Sequence, residues 1–260
     1  MRPEKLVISL TEAEEWARER YGIQATASGL PGEIDRNVLL TTGDNVQCVL
    51  KLAPAGANLL EIECQIAVLK HLEETDLADM VPRIVPDLEG SLTRSVRTAA
   101  GDEGLLRMVT FLPGRPVARL DQPSSRLRRE IGLNLGRLDM ALTSFDHPGA
   151  HRRLVWEVAR VLELRPMLDS VAPDLRPLVA AGLDSFLSRI EPYLGDLPSS
   201  VIHNDANDYN LLVRDSETGP RLSGIIDFGD MVHSITVAEP AIACAYAMLD
   251  QDDPQAAAAD

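Results

Sequence analysis

His203-Asn204-Asp205-Ala206-Asn207-Asp208-Tyr209-Asn210 contains six oxygen-bearing polar side chains and a histidine within eight positions. It lies between two apolar runs, Ser200–Ile202 and Leu211–Val213, which predict short strands. Polar loops held between buried strands are common positions for catalytic groups. A second acidic turn, Ile225–Asp230, follows the second run. We therefore expect two acidic loops on adjacent strands that converge on one cation.

The composition is typical of a soluble globular protein long enough for two lobes. Among 260 residues, 45% are hydrophobic and 25% are charged. The formal net charge is −15, whereas nucleic acids and anionic membranes select basic surfaces. We therefore expect neither a nucleic-acid nor a membrane partner.

The cysteines and the N-terminus favour a cytoplasmic protein. Cys48, Cys64 and Cys244 are odd in number and widely spaced, which indicates neither a disulfide framework nor a zinc site. The segment Met1–Arg20 is charged and lacks the apolar core of a signal sequence, and no apolar run reaches the length of a membrane span.

The first part of the chain is predicted to be mainly β, with one helix inserted into the sheet. Thr11 and Glu14 have the spacing of a capping box at the start of a helix over residues 10–19. Apolar residues at spacings of three and four predict the inserted helix over residues 58–72. Strands are predicted over residues 22–28, 37–42, 46–52, 91–98 and 105–111, the first three as an antiparallel meander.

Beyond Gly114 the pattern is mainly helical. We place one domain at residues 1–112 and a second at residues 113–260, and assign the chain to the α+β class. Helices of the second domain are predicted over residues 124–142, 154–162, 175–194 and 237–249, with the two acidic loops on short strands before the last.

Asp205, Asn210 and Asp227 are the candidate catalytic and metal residues. Mg²⁺ prefers a few protein oxygens together with substrate phosphates, which an Asn and an Asp on neighbouring loops supply. Asp205 precedes Asn210 by five positions, and Asp227-Phe228-Gly229 follows. Protein kinases use the same spacing, with the first Asp as catalytic base and the Asn and second Asp as magnesium ligands. Either loop alone is equally well explained as a turn formed by Asn and Asp.

Lys51, at the end of a predicted strand, is the candidate for the phosphate-binding cation of a nucleotide site. A carboxylate on the next helix must hold such a lysine, and Glu63 is our choice, with Glu61 as the close alternative. The segment Val109–Leu112 connects the two domains, and the backbone of Thr110 and Leu112 is the candidate for binding an adenine edge.

With these residues assembled, the chain resembles the aminoglycoside phosphotransferase family of small-molecule kinases, and within it the hydroxylysine-kinase-type branch and the kinase domains fused to class III aminotransferases. The matching pieces run in family order: Leu30-Pro31 with Asp35 and Asn37, Val49–Lys51, Ile62–Gln65, Phe111–Gly114, Leu138-Asp139 with Ala141-Leu142, Phe145–Pro148, Trp156, His203–Asn210 and Ile226–Met231.

The resemblance implies a protein-kinase-like bilobal fold, ATP and Mg²⁺ as cofactors, and a small hydroxylated acceptor such as an amino alcohol or an aminoglycoside. Residue by residue it implies Asp205 as the base, Asn210 and Asp227 as magnesium ligands, and Lys51 with Glu63 at the α- and β-phosphates. His203 is implied to be structural.

The sequence departs from the family pattern in two places. Asn204 stands where the family has Gly, and since Asn tolerates a positive φ we expect the geometry to be kept at some cost. Family members also continue further past the acidic turn, so we expect this chain to be a shortened relative or one part of a longer, multidomain protein with an incomplete acceptor pocket.

Two other functions fit parts of the sequence. A non-catalytic nucleotide-binding module, such as a pseudokinase, would explain the short C-terminal part. A metal-dependent hydrolase would use the residues His203, Asp205, Asp208, Asp227 and His233, but it leaves Lys51 and the β domain without a role.

Overall fold

A computed structural model describes residues 6–260 and divides the chain into two compact units, one ending at Pro113 and the other spanning Gly114–Asp260. Residues 1–5, which belong to the segment considered for a signal sequence and to the predicted first domain, lie outside the described residues. Within the described part, no helix combines the length and apolar character needed to cross a membrane.

The first unit is an antiparallel sheet with two helices. Its elements are α1 (Leu10–Tyr21), β1 (Ala25–Leu30), β2 (Arg36–Thr42), β3 (Gln47–Pro54), α2 (Leu59–Leu72), β4 (Ile84–Val85), β5 (Arg94–Arg97) and β6 (Glu103–Thr110). The strand order is β1-β2-β3-β6-β4, and β5 pairs with another part of β6.

Helix α1 begins with a different cap from the one that the sequence predicted. Ser9 is the N-cap residue, and its side-chain oxygen accepts a hydrogen bond from the Glu12 N–H (3.1 Å). The predicted pair Thr11 and Glu14 therefore does not cap the helix. Glu14 instead accepts a hydrogen bond from the Ala27 N–H (2.9 Å) and so joins α1 to β1.

The two helices pack on opposite faces of the sheet. Trp16 and Tyr21 of α1 belong to the core cluster that contains Leu50 and Leu52 of β3. Because side chains alternate along a strand, Lys51 and Ala53 face the other side. There Ala53 packs with Ile62 and Ile66 of α2, so α2 covers the face of the sheet that carries Lys51.

The second unit holds the acidic loops between short strands and helices. Its elements are β7 (Arg115–Pro116), α3 (Ser125–Leu142), α4 (Arg176–Arg189), β8 (Ser199–Ile202), β9 (Leu211–Arg214), β10 (Arg221–Ile225), β11 (Val232–Ile235), α5 (Ala238–Ala247) and α6 (Pro254–Ala259). Further 3-10 helices lie at Val117–Arg119, Pro148–Ala150, Val158–Ser170, Glu191–Asp196 and Phe228–Asp230.

The segment between α3 and β8 differs from the sequence prediction. A helix was expected over residues 154–162, but the structure has a long 3-10 segment, Val158–Ser170, with Pro166 inside it. Proline removes a backbone donor and blocks a regular α-helix, which explains the tighter and less regular turns. The prediction of α3 over residues 124–142 is confirmed, with Ser124 as its N-cap.

The strand pairing of the second unit places the two acidic loops side by side. β8 leads into the loop at 203–210 and pairs with β11, which leaves the second acidic turn. β9 leaves the first loop and pairs with β10, which enters the second turn. The two loops therefore leave the same ends of neighbouring strands, as the sequence predicted, and the Ile226 N–H donates to the Asn210 carbonyl (2.9 Å).

Candidate active site

Side-chain amides of its own loop orient the Asp205 carboxylate. Asn207 Nδ2 donates to Asp205 Oδ1 (2.8 Å), and Asn210 Nδ2 donates to Asp205 Oδ2 (2.7 Å) and to the Asp205 carbonyl (2.9 Å). The Asn207 side-chain oxygen in turn accepts from the N–H groups of Tyr209 and Asn210 (2.8 and 3.2 Å). The sequence left Asn207 without a role, and the structure shows that it holds both the loop and the carboxylate.

Asp205 is half-buried, and this burial is the largest cause that raises its pKa above the ordinary value. The negative charge of Asp227 raises the pKa further, while the amide donors Asn207 and Asn210 oppose the shift. A carboxylate with a raised pKa and a fixed orientation is suited to accepting a proton from an alcohol.

His203 is a structural residue of the loop, as the family resemblance implied. It is completely buried, its Nε2 lies 3.0 Å from the Ile226 carbonyl, and its Nδ1 accepts from the Asp205 N–H (3.3 Å). These partners fix the tautomer with the proton on Nε2. The ring also packs edge-on against Phe228 of the second acidic turn, so His203 ties the two loops together.

Asn204 adopts the left-handed conformation that the sequence predicted, with φ +63°. Its backbone N–H donates to Glu239 Oε2 at the start of α5 (2.8 Å), and Glu239 is completely buried. This contact could not be predicted from the sequence, because 35 positions separate the two residues. Glu239 thereby anchors the backbone directly before Asp205.

Asp227 also has a positive φ, +64°, and its carboxylate accepts from the Gly229 N–H (3.3 Å). Arg152 holds the rest of this turn because its Nη2 donates to the Gly229 carbonyl and its Nε donates to the Met231 carbonyl. Sequence reasoning missed Arg152, which lies far from the turn along the chain. The arginine fixes the backbone that presents Asp227.

The donor set of the two loops fits Mg²⁺. Since Asn210 Nδ2 donates to two Asp205 oxygens, the amide directs Oδ1 away from Asp205, which leaves this oxygen available to a cation. Asp227 is exposed and close enough to influence the pKa of Asp205. One amide oxygen and one carboxylate, with phosphate oxygens and water, are ligands that Mg²⁺ accepts. Residues 6–260 contain no group of three or more His, Cys, Asp or Glu side chains arranged for a metal.

The structure argues against a metal-dependent hydrolase, because the two histidines that it would use, His203 and His233, have other partners. Both ring nitrogens of His203 have backbone partners. His233 stacks on His151 with ring centroids 4.6 Å apart, and among residues 6–260 neither histidine belongs to a group of three or more His, Cys, Asp or Glu side chains that could hold a metal.

In the first unit, Lys51 lies in an ion-pair network that the sequence did not reveal. Its Nζ lies 3.7 Å from Asp35 Oδ2, and the same oxygen accepts from Arg107 Nη2 (2.7 Å). Arg107 also donates to Gln65 Oε1 of α2 (3.0 Å). Asp35 and Arg107 are 72 positions apart, so only the fold brings them to Lys51.

The orientation of α2 distinguishes the two candidate carboxylates for Lys51. Gln65 faces the sheet at Arg107, and Glu61, four positions earlier, shares that side of the helix. Glu63 lies two positions from each, points the other way and is exposed, whereas Glu61 is half-buried. The helix geometry therefore favours Glu61, the alternative to our choice of Glu63.

The backbone near the end of β6 is partly engaged in the structure. The Thr110 N–H donates to the Arg83 carbonyl (2.8 Å), and the Thr110 hydroxyl oxygen accepts from the Arg83 N–H (2.9 Å). Leu112 is half-buried two residues later. Adenine binding by Thr110 and Leu112 stays a prediction.

Comparison with known proteins gives relatives for nearly the whole chain. Hydroxylysine kinase of Mus musculus is 32% identical over 228 residues, which are 82% of this chain and 60% of the mouse protein. Hydroxylysine kinase of Danio rerio is 25% identical over 259 residues, which are 95% of this chain and 72% of the fish protein. The chain thus spans about 60% of the length of the mouse relative.

Solved structures of small-molecule kinases have the same fold. A microcompartment-associated aminopropanol kinase matches with a TM-score of 0.70 at 20% identity, covering 93% of this chain and 76% of that one. Amicoumacin kinase, solved with AMP-PNP and Ca²⁺, matches with a TM-score of 0.67 at 17% identity, covering 94% and 72%. The predicted α+β, protein-kinase-like fold is therefore confirmed. A family model matches residues 26–260, and the chain belongs to the phosphotransferase enzyme family, APH.

Proposed function

We propose that this protein is an ATP-dependent kinase that transfers the γ-phosphoryl group to a hydroxyl of a small amino alcohol. The observation that carries the proposal is the Asp205 carboxylate, which is held by Asn207 and Asn210 beside the exposed Asp227. Phosphoryl transfer needs positioning and charge neutralisation more than covalent help, and this arrangement would supply both, with Asp205 as the base beside a bound cation.

In the proposed reaction, the acceptor oxygen attacks the γ-phosphorus while the bond to the ADP oxygen breaks. Asp205 accepts the proton of the acceptor hydroxyl. Asn210 Oδ1 and the Asp227 carboxylate would hold Mg²⁺, which neutralises phosphate charge when bound. Lys51 contacts the α- and β-phosphates, with a carboxylate of α2, Glu63 or Glu61, orienting it. The adenine edge is assigned to the backbone of Thr110 and Leu112.

Two similarities support the acceptor class. Hydroxylysine kinases match most of the chain, and one structural neighbour is an aminopropanol kinase. Hydroxylysine and aminopropanol both carry an ammonium group and a hydroxyl. The net charge of −15 suits a cationic acceptor.

We place the protein in the cytoplasm, where ATP is available.

The test is acceptor-dependent ADP release with hydroxylysine, aminopropanol and related amino alcohols, for the wild type and for Asp205→Asn. We expect the substitution to lower kcat by roughly 10²–10⁴-fold, the usual contribution of a general base. Affinity for Mg-ATP should stay close to that of the wild type, since Asp205 does not bind the nucleotide. Asp215→Asn is the matched control because Asp215 is an exposed carboxylate of the same unit that pairs with the Arg115 side chain on the surface.

The possible outcomes distinguish an active kinase from a non-catalytic nucleotide-binding module. Near-normal turnover in Asp205→Asn would show that the base is wrongly assigned. Mg-ATP binding by the wild type without ADP release for any acceptor would favour a pseudokinase-like, non-catalytic module. Absence of nucleotide binding would overturn both.

A further inference from the structure

Arg107 is an unusual residue for the middle of a β-strand. It lies in β6, is only 2% exposed, and stands directly opposite Lys51 of β3 in the sheet. Asn37 of β2 is the opposite neighbour of Lys51 on the other side. The side chains of Asn37, Lys51 and Arg107 therefore form a polar row across the face of the sheet that α2 covers.

Asp35 connects the two cations of this row. Its Oδ2 accepts from Arg107 Nη2 at 2.7 Å and lies 3.7 Å from Lys51 Nζ. The Asp35 and Lys51 side chains are 16% and 20% exposed, whereas the Arg107 side chain is 3% exposed. The buried Arg107 side chain thus fixes the position of the Asp35 carboxylate. The negative charge of this carboxylate in turn lies close to the more accessible Lys51 ammonium.

The loop that carries Asp35 is fixed as well. Asn37 Nδ2 donates across the loop to the Pro31 carbonyl (2.8 Å). Gly32 lies so close to this contact that an added Cβ would stand 2.5 Å from Asn37 Nδ2 and 2.7 Å from the Asp35 carbonyl. The loop between β1 and β2 is therefore closely packed around Gly32, and the contacts of Asn37 and Gly32 lie on either side of Asp35 along the chain.

Stability alone is a poor explanation for this arrangement. Removing an Arg–Asp pair from water costs free energy that its attraction often fails to recover, and apolar replacements of buried pairs are frequently neutral or stabilising. Here the cost is higher, since Arg107 Nη1 is buried without a hydrogen-bond partner among the described residues. The network is better explained by what it does to Lys51.

We propose that Asp35 is a positioning residue for Lys51 and that Arg107 holds Asp35 in place, so that the Lys51 ammonium is directed to the phosphates of a nucleoside di- or triphosphate. This inference rests on the proposed function, because it takes Lys51 as the phosphate contact. It adds an anchor on the β1–β2 loop to the carboxylate that α2 supplies.

The experiment compares the wild type with Asp35→Asn, Arg107→Met, Arg107→Lys and the double variant Asp35→Asn/Arg107→Met. For each protein we would measure Kd for Mg-ADP and for adenosine, KM for ATP, kcat, and the urea midpoint of unfolding. Asp35→Asn and Arg107→Met should each weaken Mg-ADP by about tenfold, the equivalent of about 1.4 kcal/mol. Adenosine affinity should not change, because adenosine carries no phosphate for Lys51.

The double variant separates positioning from stability. Arg107→Met leaves a carboxylate without its buried partner and should lower the urea midpoint, and neutralising Asp35 as well should restore much of it. We expect the Mg-ADP affinity of the double variant to stay weak although its stability recovers. Arg107→Lys should recover part of the affinity, since Lys keeps the charge but lacks the forked guanidinium.

Arg97→Met is the matched control. Arg97 lies in β5 of the same unit and pairs with Glu103 on the surface, and its removal should leave nucleotide affinity unchanged. Recovery of Mg-ADP affinity together with stability in the double variant would overturn the inference, and so would an equal loss for adenosine and Mg-ADP. A wild type that binds no nucleotide would instead overturn the proposed function.

Discussion

Asn204 is a residue whose backbone conformation and buried side chain are expected to lower the free energy of unfolding. It has φ +63° and is 3% exposed, and neither its side-chain oxygen nor its nitrogen has a hydrogen-bond partner among the described residues. A buried amide without partners costs about 1–3 kcal/mol, and the left-handed region is unfavourable for residues with a Cβ. The contact from its backbone to Glu239 needs only the N–H, which every residue except proline has.

We therefore expect Asn204→Gly to stabilise the protein. Glycine adopts a positive φ without strain and removes the buried amide, which should outweigh the chain entropy that glycine loses on folding, for a net gain of about 1 kcal/mol in the free energy of unfolding. Urea denaturation of the two proteins measures the difference.

Asn45→Gly is the control for this substitution. Asn45 has a similar φ, +64°, but its side chain is exposed in the turn between β2 and β3. At this position the backbone strain that glycine relieves and the additional chain entropy that glycine loses on folding nearly cancel. We therefore expect little change in the urea midpoint. Equal changes of the urea midpoint in both substitutions would show that the buried amide of Asn204 does not lower the free energy of unfolding.

At the level of elements, helices α3 and α5 bring two carboxyl groups together beneath the loop at 203–210. Asp139 lies on α3 and Glu239 on α5, and each has a buried oxygen without a hydrogen-bond partner in the described part of the chain. Burial, followed by the charge of Glu239, raises the pKa of Asp139 from 3.8 to about 7. Burial also raises the pKa of Glu239, whose carboxylate accepts the Asn204 N–H.

This pair should make stability fall with rising pH. Between pH 3.8 and about 7 the folded protein keeps a proton on Asp139 that the unfolded chain releases, so folding becomes less favourable across that window. Asp139→Asn removes this titration. The gain in urea midpoint over the wild type should therefore be small at about pH 4 and largest above about pH 7.

Glu130→Gln on the same helix is the matched control. Glu130 accepts a hydrogen bond from Arg221 Nε (2.7 Å), so neutralising it removes an attraction and should slightly lower the urea midpoint at neutral pH. A gain for Asp139→Asn that is the same at every pH would show that Asp139 is not the group that titrates.

The elements differ in how much of them the sequence could predict. Helix α3 follows from the spacing of Leu127, Leu135 and Leu142, which are all buried. The two-residue strand β4 and the 3-10 turns around Pro166 are too short or too irregular to produce a recognisable hydrophobic periodicity in the sequence.

Candidate site residues could be proposed from the spacing within a motif, whereas the supporting contacts from distant segments could not. Asp205 and Asn210 share one loop, so their spacing could be interpreted. Asp35 and Arg107 meet only because β2 pairs with β3 and β3 pairs with β6, and Arg152 reaches the second acidic turn from 77 positions away. Single-sequence reasoning cannot find such contacts, because each depends on tertiary packing.

For the whole molecule, net charge is the property with a direct consequence for ligands. The 40 acidic and 25 basic residues give a formal charge of −15, which produces a negative potential around the protein. Mg-ATP is also an anion, whereas an amino-alcohol acceptor is a cation at neutral pH. The long-range field should therefore slow the approach of the nucleotide and favour that of the acceptor.

Ionic strength should consequently act on the two proposed substrates in opposite directions. Raising salt from about 0.01 M to about 0.15 M shortens the screening length from about 30 Å to about 8 Å. We expect the association rate of Mg-ATP to rise and KM for the acceptor to rise over this range, while adenosine, which is neutral, should bind at an unchanged rate. Stopped-flow binding and steady-state kinetics at several salt concentrations measure both. A nucleotide association rate that falls with salt would mean that a local positive potential, centred on Lys51 and Arg107, outweighs the charge of the whole molecule.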